Sequence, residues 1–220
     1  MIPPPLPSNY IYTSCWCEEN IYLLCQNFIQ NQSLRDLWEV FAIFISNSNK
    51  TVALWYQKAA QFEEDPVLWD YHVVLLLRPR QGVEESMGFN DHDMSWVYDF
   101  DTTLPVPCPG QAYFDMTFPS KDLVFQYESR FRVVPAAQFL QHFASDRSHM
   151  LKKSGSTSDM TQQSGAYLSP PPLYKPLCGP SAAERGVENN LMSHFVSMTP
   201  IDNIDDYGKV LDRTGIESFL

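Results

Sequence analysis

No run of about 18 apolar residues occurs in this chain, so no membrane-spanning helix is expected. Positive charge is also scarce. Fifteen Lys and Arg stand against 26 Asp and Glu, a formal net charge of −11. Nucleic-acid binding needs a basic surface, and this balance argues against it. The opening residues, Met1-Ile2-Pro3-Pro4-Pro5-Leu6-Pro7, have neither a basic segment nor a long apolar stretch and are not expected to form a secretory signal. Cysteines are few, odd in number and unevenly spaced: Cys15, Cys17, Cys25, Cys108 and Cys178. That is not the pattern of a disulfide framework. It predicts reduced thiols, hence a cytoplasmic or nuclear protein.

What is present suffices for a folded domain. The 220 residues are 44% hydrophobic and 14% aromatic, which suits one domain spanning 1–220. Ile21, Leu24, Cys25 and Phe28 recur at helical spacing, so Glu18 to Gln30 reads as a helix with Cys25 in the core. Ser33 is placed to cap a second short helix. Phe41 to Ser46 alternates like a strand, with Thr51 to Tyr56 returning after a turn. Val67 to Leu77 is nearly all apolar after His72 and predicts a central strand. Trp96 to Asp101 reads as its antiparallel neighbour, ended by the prolines of residues 104–109. Pro79 to Asp93 reads as a polar loop. Phe131 to Val134 predicts another strand, and Ala136 to Ala144 a helix. Residues 151–190 are rich in Ser, Gly, Gln and Pro and predict a long irregular excursion. Leu191 to Met198 is apolar enough to dock back.

Three segments carry the chemistry: Cys15-Trp16-Cys17-Glu18-Glu19-Asn20, Trp69-Asp70-Tyr71-His72 and Tyr98-Asp99-Phe100-Asp101. They supply a thiol, an imidazole and carboxylates, the parts of a thiol acyl-transfer enzyme. A cysteine attacks as thiolate, so its ordinary pKa of about 8.5 must fall. Cys17 lies where a helix should begin, and the positive end of the helix dipole would lower it. Cys15 is less well placed. In a strand, Asp70 and His72 share one face. From spacing alone Asp70, Asp99 or Asp101 could orient the imidazole. An acidic molecule also favours a cationic ligand, such as a free α-amino group. Glu19 and Asp70 are the candidate anchors for such a group. The rival roles are helix-start propensity for Glu19 and a turn or strand edge for Asp70.

These segments, with Phe143-Ala144-Ser145-Asp146-Arg147-Ser148-His149-Met150, Phe131-Arg132-Val133-Val134 and Phe195-Val196-Ser197-Met198, resemble the protein N-terminal glutamine amidohydrolases. The resemblance implies an α/β fold of the α+β type, papain- or transglutaminase-like, with a mostly antiparallel sheet flanked by helices. It implies a monomer without cofactor or metal. Its substrates would be proteins or peptides beginning with glutamine, deamidated to glutamate and so fed to N-terminal-residue-dependent degradation. By motif, the nucleophile is Cys17, the histidine His72 and the acid Asp99. For Ser145 to His149 two roles are expected: bracing the site, or a helix terminus with Arg147 paired to Asp146.

Three rivals use the same residues. A papain-like cysteine protease would turn the triad on a backbone amide. A zinc site on Cys15, Cys17, Cys25 and His72 fits no familiar spacing. A non-catalytic interaction domain would present its Pro-rich stretch as a ligand.

Overall fold

The computed structural model describes residues 1–80, 95–119, 124–152, 166–199 and 207–220. The loop expected over Pro79 to Asp93 therefore falls, from residue 81 on, outside the described residues. The first helix, α1, covers Cys17–Gln30. Its buried stripe of Ile21, Leu24, Cys25 and Phe28 is the predicted one. Each large apolar side chain so buried contributes about 1.5–3 kcal/mol. The second helix, α2, covers Gln32–Leu37, and its cap is Asn31 rather than Ser33. The Asn31 amide oxygen accepts from the Leu34 N–H at 3.3 Å. Asn31 is also where α1 gives way to extended backbone, so one residue ends the first helix and starts the second.

Among the described residues eight strands follow: β1 (Trp38–Ser46), β2 (Val52–Leu54), β3 (Val67–Trp69), β4 (His72–Pro79), β5 (Trp96–Tyr98), β6 (Cys108–Pro109), β7 (Arg130–Pro135) and β8 (Lys209–Leu211). Among the described residues the further α-helices are α3 (Gly110–Thr117), α4 (Ala136–His142), α5 (Pro180–Glu184) and α6 (Arg213–Glu217). Six strands form one antiparallel sheet in the order β6-β5-β4-β1-β7-β8. The fold is thus α/β of the expected α+β kind, an antiparallel sheet flanked by helices. Successive residues of β1 and β4 feed two cores, as a period of two requires. Ala42, Phe44, Val73 and Leu75 pack under α1 and α4 with Phe139 and Phe143. Ile43, Ile45, Val74 and Leu76 pack with Tyr113 and Phe114 of α3 and Ile216 of α6. Both faces are covered, which is why the two central strands read as continuous apolar runs.

Three expectations about the strands change. β2 does not return alongside β1; it pairs with β3 in a separate two-stranded ribbon. The run from Val67 to Leu77 is two strands, broken at Asp70 and Tyr71. There the Asp70 carboxylate accepts from the Tyr71 N–H at 2.9 Å, a local bond that competes with the ladder. The break makes His72 the first residue of β4, opposite Ile45. Finally, Cys108–Pro109 extends the sheet despite its prolines, because β6 is an edge strand.

Between 151 and 190 the chain is less irregular than its composition suggests. Residues 153–165 lie outside the described residues. The rest carries α5, with Ala182 buried, and two isolated bridges, Leu151 to Tyr167 and Ala144 to Cys178. Leu191, Phe195, Val196 and Met198 dock in the first core, as expected. Among the described residues no helix is long and apolar enough to cross a membrane.

Candidate active site

Cys17 is the first residue of α1, and the preceding residue, Trp16, offers no side-chain cap. Two polar contacts hold the approach. The buried Asn20 amide accepts from the Thr13 N–H at 2.8 Å and donates to the Thr13 carbonyl at 2.9 Å. The indole of the fully buried Trp16 donates to the Pro170 carbonyl at 2.9 Å. Between them Cys15 takes a left-handed backbone with φ of 68°, a conformation costing a non-glycine residue about 1–3 kcal/mol. The turn presents both Cys15 and Cys17 to a cavity of about 220 Å³, whose wall also includes Asp70, Tyr71, His72 and Asp101. A larger cavity, about 450 Å³, lies between the end of β1 and α6, and no Cys or His lines it.

The break before β4 and the end of β5 bring His72 and Asp99 together. His72 Nε2 and Asp99 Oδ1 are 2.8 Å apart, and both residues are buried. An ionised carboxylate can only accept, so Nε2 carries the proton and donates it. His72 Nδ1 is buried without a hydrogen-bond partner. Asp99 Oδ1 also accepts from the Asp101 N–H at 2.9 Å. Its Oδ2 accepts from the Tyr113 hydroxyl at 2.8 Å and the Gln57 amide at 3.3 Å. Burial alone would raise Asp99 and lower His72. The charge and hydrogen bond each gives the other outweigh it, so Asp99 lies below the usual carboxylate range and His72 above the usual imidazole range.

The thiol behaves differently from the sequence expectation. Cys17 does start a helix, but burial pushes its pKa well up, and the Glu18 carboxylate, with Oε2 3.7 Å from Sγ, pushes it further. Asp101 and Asp70 add to this, while a backbone hydrogen bond from Val73 opposes it. The dipole of the helix start is outweighed, and the sulfur rests as a thiol.

Glu18 and Glu19 are both fully buried, which helix-start propensity does not require. Glu18 Oε2 accepts from the Tyr71 hydroxyl at 2.9 Å, and Tyr71 in turn lies 3.2 Å from His149 Nε2. Glu19 takes a two-pronged bond from Arg147, with Nε and Nη2 each 2.8 Å from a carboxylate oxygen. Glu19 thus has its own cation. The expected local pair of Arg147 with Asp146 does not form: Asp146 accepts from the Ser148 N–H and from the Asn189 amide. Asp70 is exposed and borders the cavity, as the anchor role needs.

Cys25 lies in the core and not at the cavity, apart from Cys15, Cys17 and His72. His72, Asp99 and Asp101 place ligand-type atoms within 4.8 Å of one another. Tyr113 and Gln57 are site residues that the sequence does not single out. Tyr113 belongs to a stretch with no motif, and Gln57 reaches Asp99 from the loop after β2, so neither carries a local signal.

A family model described as N-terminal glutamine amidase matches residues 12–220. The protein N-terminal glutamine amidohydrolase of Bos taurus is 39% identical over 191 residues, covering 86% of this chain and 78% of that protein. The Danio rerio protein of the same name is 40% identical, covering 89% of this chain and 83% of its own length. The Arabidopsis thaliana one is 36% identical, covering 90% and 79%.

Proposed function

The chain belongs to the N-terminal glutamine amidase family, and from that premise we propose that it deamidates a glutamine at the start of a protein or peptide, using Cys17, His72 and Asp99. The observation that carries this reading is the state of His72. One ring nitrogen is held by Asp99 and the other is unpartnered, in the cavity that Cys17 borders.

The Cys17 proton passes to His72 Nδ1, and Asp99 stabilises the imidazolium. The sulfur attacks the side-chain carboxamide carbon and a C–S bond forms. The resulting oxyanion meets the N–H of Cys17 at the uncapped helix start. Collapse breaks the C–N bond, and His72 returns its proton to the leaving ammonia. Water, deprotonated by His72, then cleaves the thioester to glutamate and regenerates the thiol. Asp70 holds the substrate's α-ammonium group; Glu19, bonded to Arg147, braces the helix instead.

The cavity volume supports a single side chain over an extended peptide. About 220 Å³ is below the roughly 300–1,000 Å³ of ordinary ligand pockets. A cysteine protease needs a cleft for residues on both sides of the scissile bond. The finer cellular reading is a reduced, cytoplasmic or nuclear monomer whose product carries an N-terminal glutamate for degradation. All five cysteines are free, in keeping with it.

An ammonia-release assay tests the reading. Wild type should act on a peptide beginning with glutamine and not on its acetylated form or on an internal glutamine. Cys17→Ala should abolish release, whereas Cys25→Ala should retain it. Full activity in Cys17→Ala removes the assignment.

A further inference from the structure

The sulfur of Cys17 sits among anions. Glu18 Oε2 is 3.7 Å from it. Asp70 and Asp101 border the same small cavity. Asp101 also lies within 4.8 Å of the nearest ligand-type atoms of His72 and Asp99. His72 borders the same cavity, but its charge is offset by the Asp99 carboxylate it is bonded to, and among the described residues the other neighbouring cations are bonded elsewhere. Arg147 is bound to Glu19, and the Lys58 ammonium donates to the Phe100 carbonyl at 2.7 Å. His149, the second imidazole nearby, stands behind Glu18 at 3.4 Å. Tyr71, bonded to Glu18, is neutral below strongly alkaline pH because burial and that carboxylate raise it. A field of this sign suits a cationic ligand but opposes the thiolate that must attack it.

The two facts resolve together if the ligand itself supplies the missing charge. We propose that Glu18, Asp70 and Asp101 hold Cys17 as an unreactive thiol until the α-ammonium group of a terminal glutamine enters the cavity, and that this cation releases the thiol proton to His72. The proposal rests on the glutamine reading above. It makes the amine a switch for the nucleophile as well as an anchor. Blocked and internal glutamines, which bring no charge, then fail in the chemical step and not only in binding. A cation within about 4–6 Å moves a neighbouring acid's pKa by about 1–3 units, and each unit is tenfold in thiolate. The device also protects the free enzyme from alkylation and oxidation, which need the thiolate.

Two measurements on the full chain test it. The first is the pH dependence of Cys17 alkylation by iodoacetamide, a neutral reagent, followed by mass spectrometry. Asp101→Asn, Asp70→Asn and Glu18→Gln should each lower the midpoint, and at least one should speed the reaction at pH 7 by about tenfold. Should buried Glu18→Gln fail to fold, the two aspartate variants carry the test. The second compares a glutamine peptide with its desamino analogue, a 4-carbamoylbutanoyl peptide that keeps the carboxamide and lacks the amine. Wild type should lose kcat, not only KM, on the analogue. The Asp70→Asn/Asp101→Asn double variant should turn over the analogue faster than wild type does, while doing worse on the glutamine peptide. Unmoved alkylation midpoints in all variants, or equal wild-type kcat on both peptides, overturn the switch. No ammonia from the glutamine peptide with wild type overturns the function itself, and the switch with it.

Discussion

Two buried acidic centres flank the cavity, and they are built on opposite principles. On the sheet side, Asp99 has both oxygens occupied by donors from His72, Asp101, Tyr113 and Gln57. On the helix side, the first turn of α1 buries Glu18 and Glu19 next to each other. Glu19 is fully engaged by Arg147, whereas Glu18 Oε1 makes no hydrogen bond and has only the His149 imidazole beside it, with Nε2 3.4 Å away. A carboxylate with all its lone pairs satisfied is a fixed counter-charge, suited to holding an imidazole in one orientation. One left short of donors in a buried site projects its charge onto whatever lies nearest, here the sulfur. The same residue class thus steadies one reacting group and restrains the other.

Removing the steady charge should have the largest effect. Asp99→Asn keeps the shape but takes away the anion that stabilises a charged His72, and kcat should fall by roughly 10³–10⁴-fold. Its folding should show a pH signature as well. Asp99 has a lowered pKa in the fold, so its contribution is complete above the ordinary 3.8 and is lost as pH falls through the lowered value. His72 is raised, so its contribution is complete below the ordinary 6.5 and fades as pH rises through the raised value. The pair is at full strength between those two figures. The thermal midpoint of wild type should therefore exceed that of Asp99→Asn most between about pH 4 and 6.5, and the gap should close towards strong acid. A gap independent of pH would show that charge is not what Asp99 supplies.

The helix side should break as a matter of folding more than of rate. Arg147→Ala leaves Glu19 charged, buried and alone, which costs about 3–5 kcal/mol. Adding Glu19→Leu should recover most of that loss in denaturant titrations, because an apolar pair replaces the stranded charge. Recovery would confirm that Glu19 serves the fold; loss of glutamine-peptide binding in the stable double variant would return it to the substrate.

The smallest effect sharpens the comparison on the sheet side. Tyr113→Phe removes one of four bonds to Asp99 and should cost about 1.5–3 kcal/mol, the range for a hydrogen bond to a charged group. It should also raise the Asp99 pKa, moving the acid limb of the stability profile to higher pH. An unshifted limb would mean that Gln57, His72 and the Asp101 N–H suffice to hold the carboxylate.

Much of this arrangement was legible in the residues and some was not. The helix from Cys17, the antiparallel partnership of His72 and Asp99 strands, and the burial of Cys25 all follow from local periodicity. The break at Asp70 did not show, because an aspartate in an apolar run reads equally as an edge residue or a turn. The sequence also led to a lowered thiol, since a helix start is a local feature, whereas burial and the direction in which Glu18 points are not, and the carboxylates of Asp101 and Asp70 arrive from the segments after β5 and β3. Glu18 and Glu19 read as residues that favour a helix start, with Glu19 a candidate anchor; nothing local tells that Tyr71 and Arg147 will come to meet them.

By itself, then, the order of residues determined which groups exist to do chemistry and which elements carry them, since helix and strand periods are short-range properties. Only the tertiary structure decided the charge each group feels. Electrostatic energies depend on distance and on exclusion of water, and both are set by contacts between residues far apart in the chain, such as Glu19 with Arg147 and Asp99 with Tyr113.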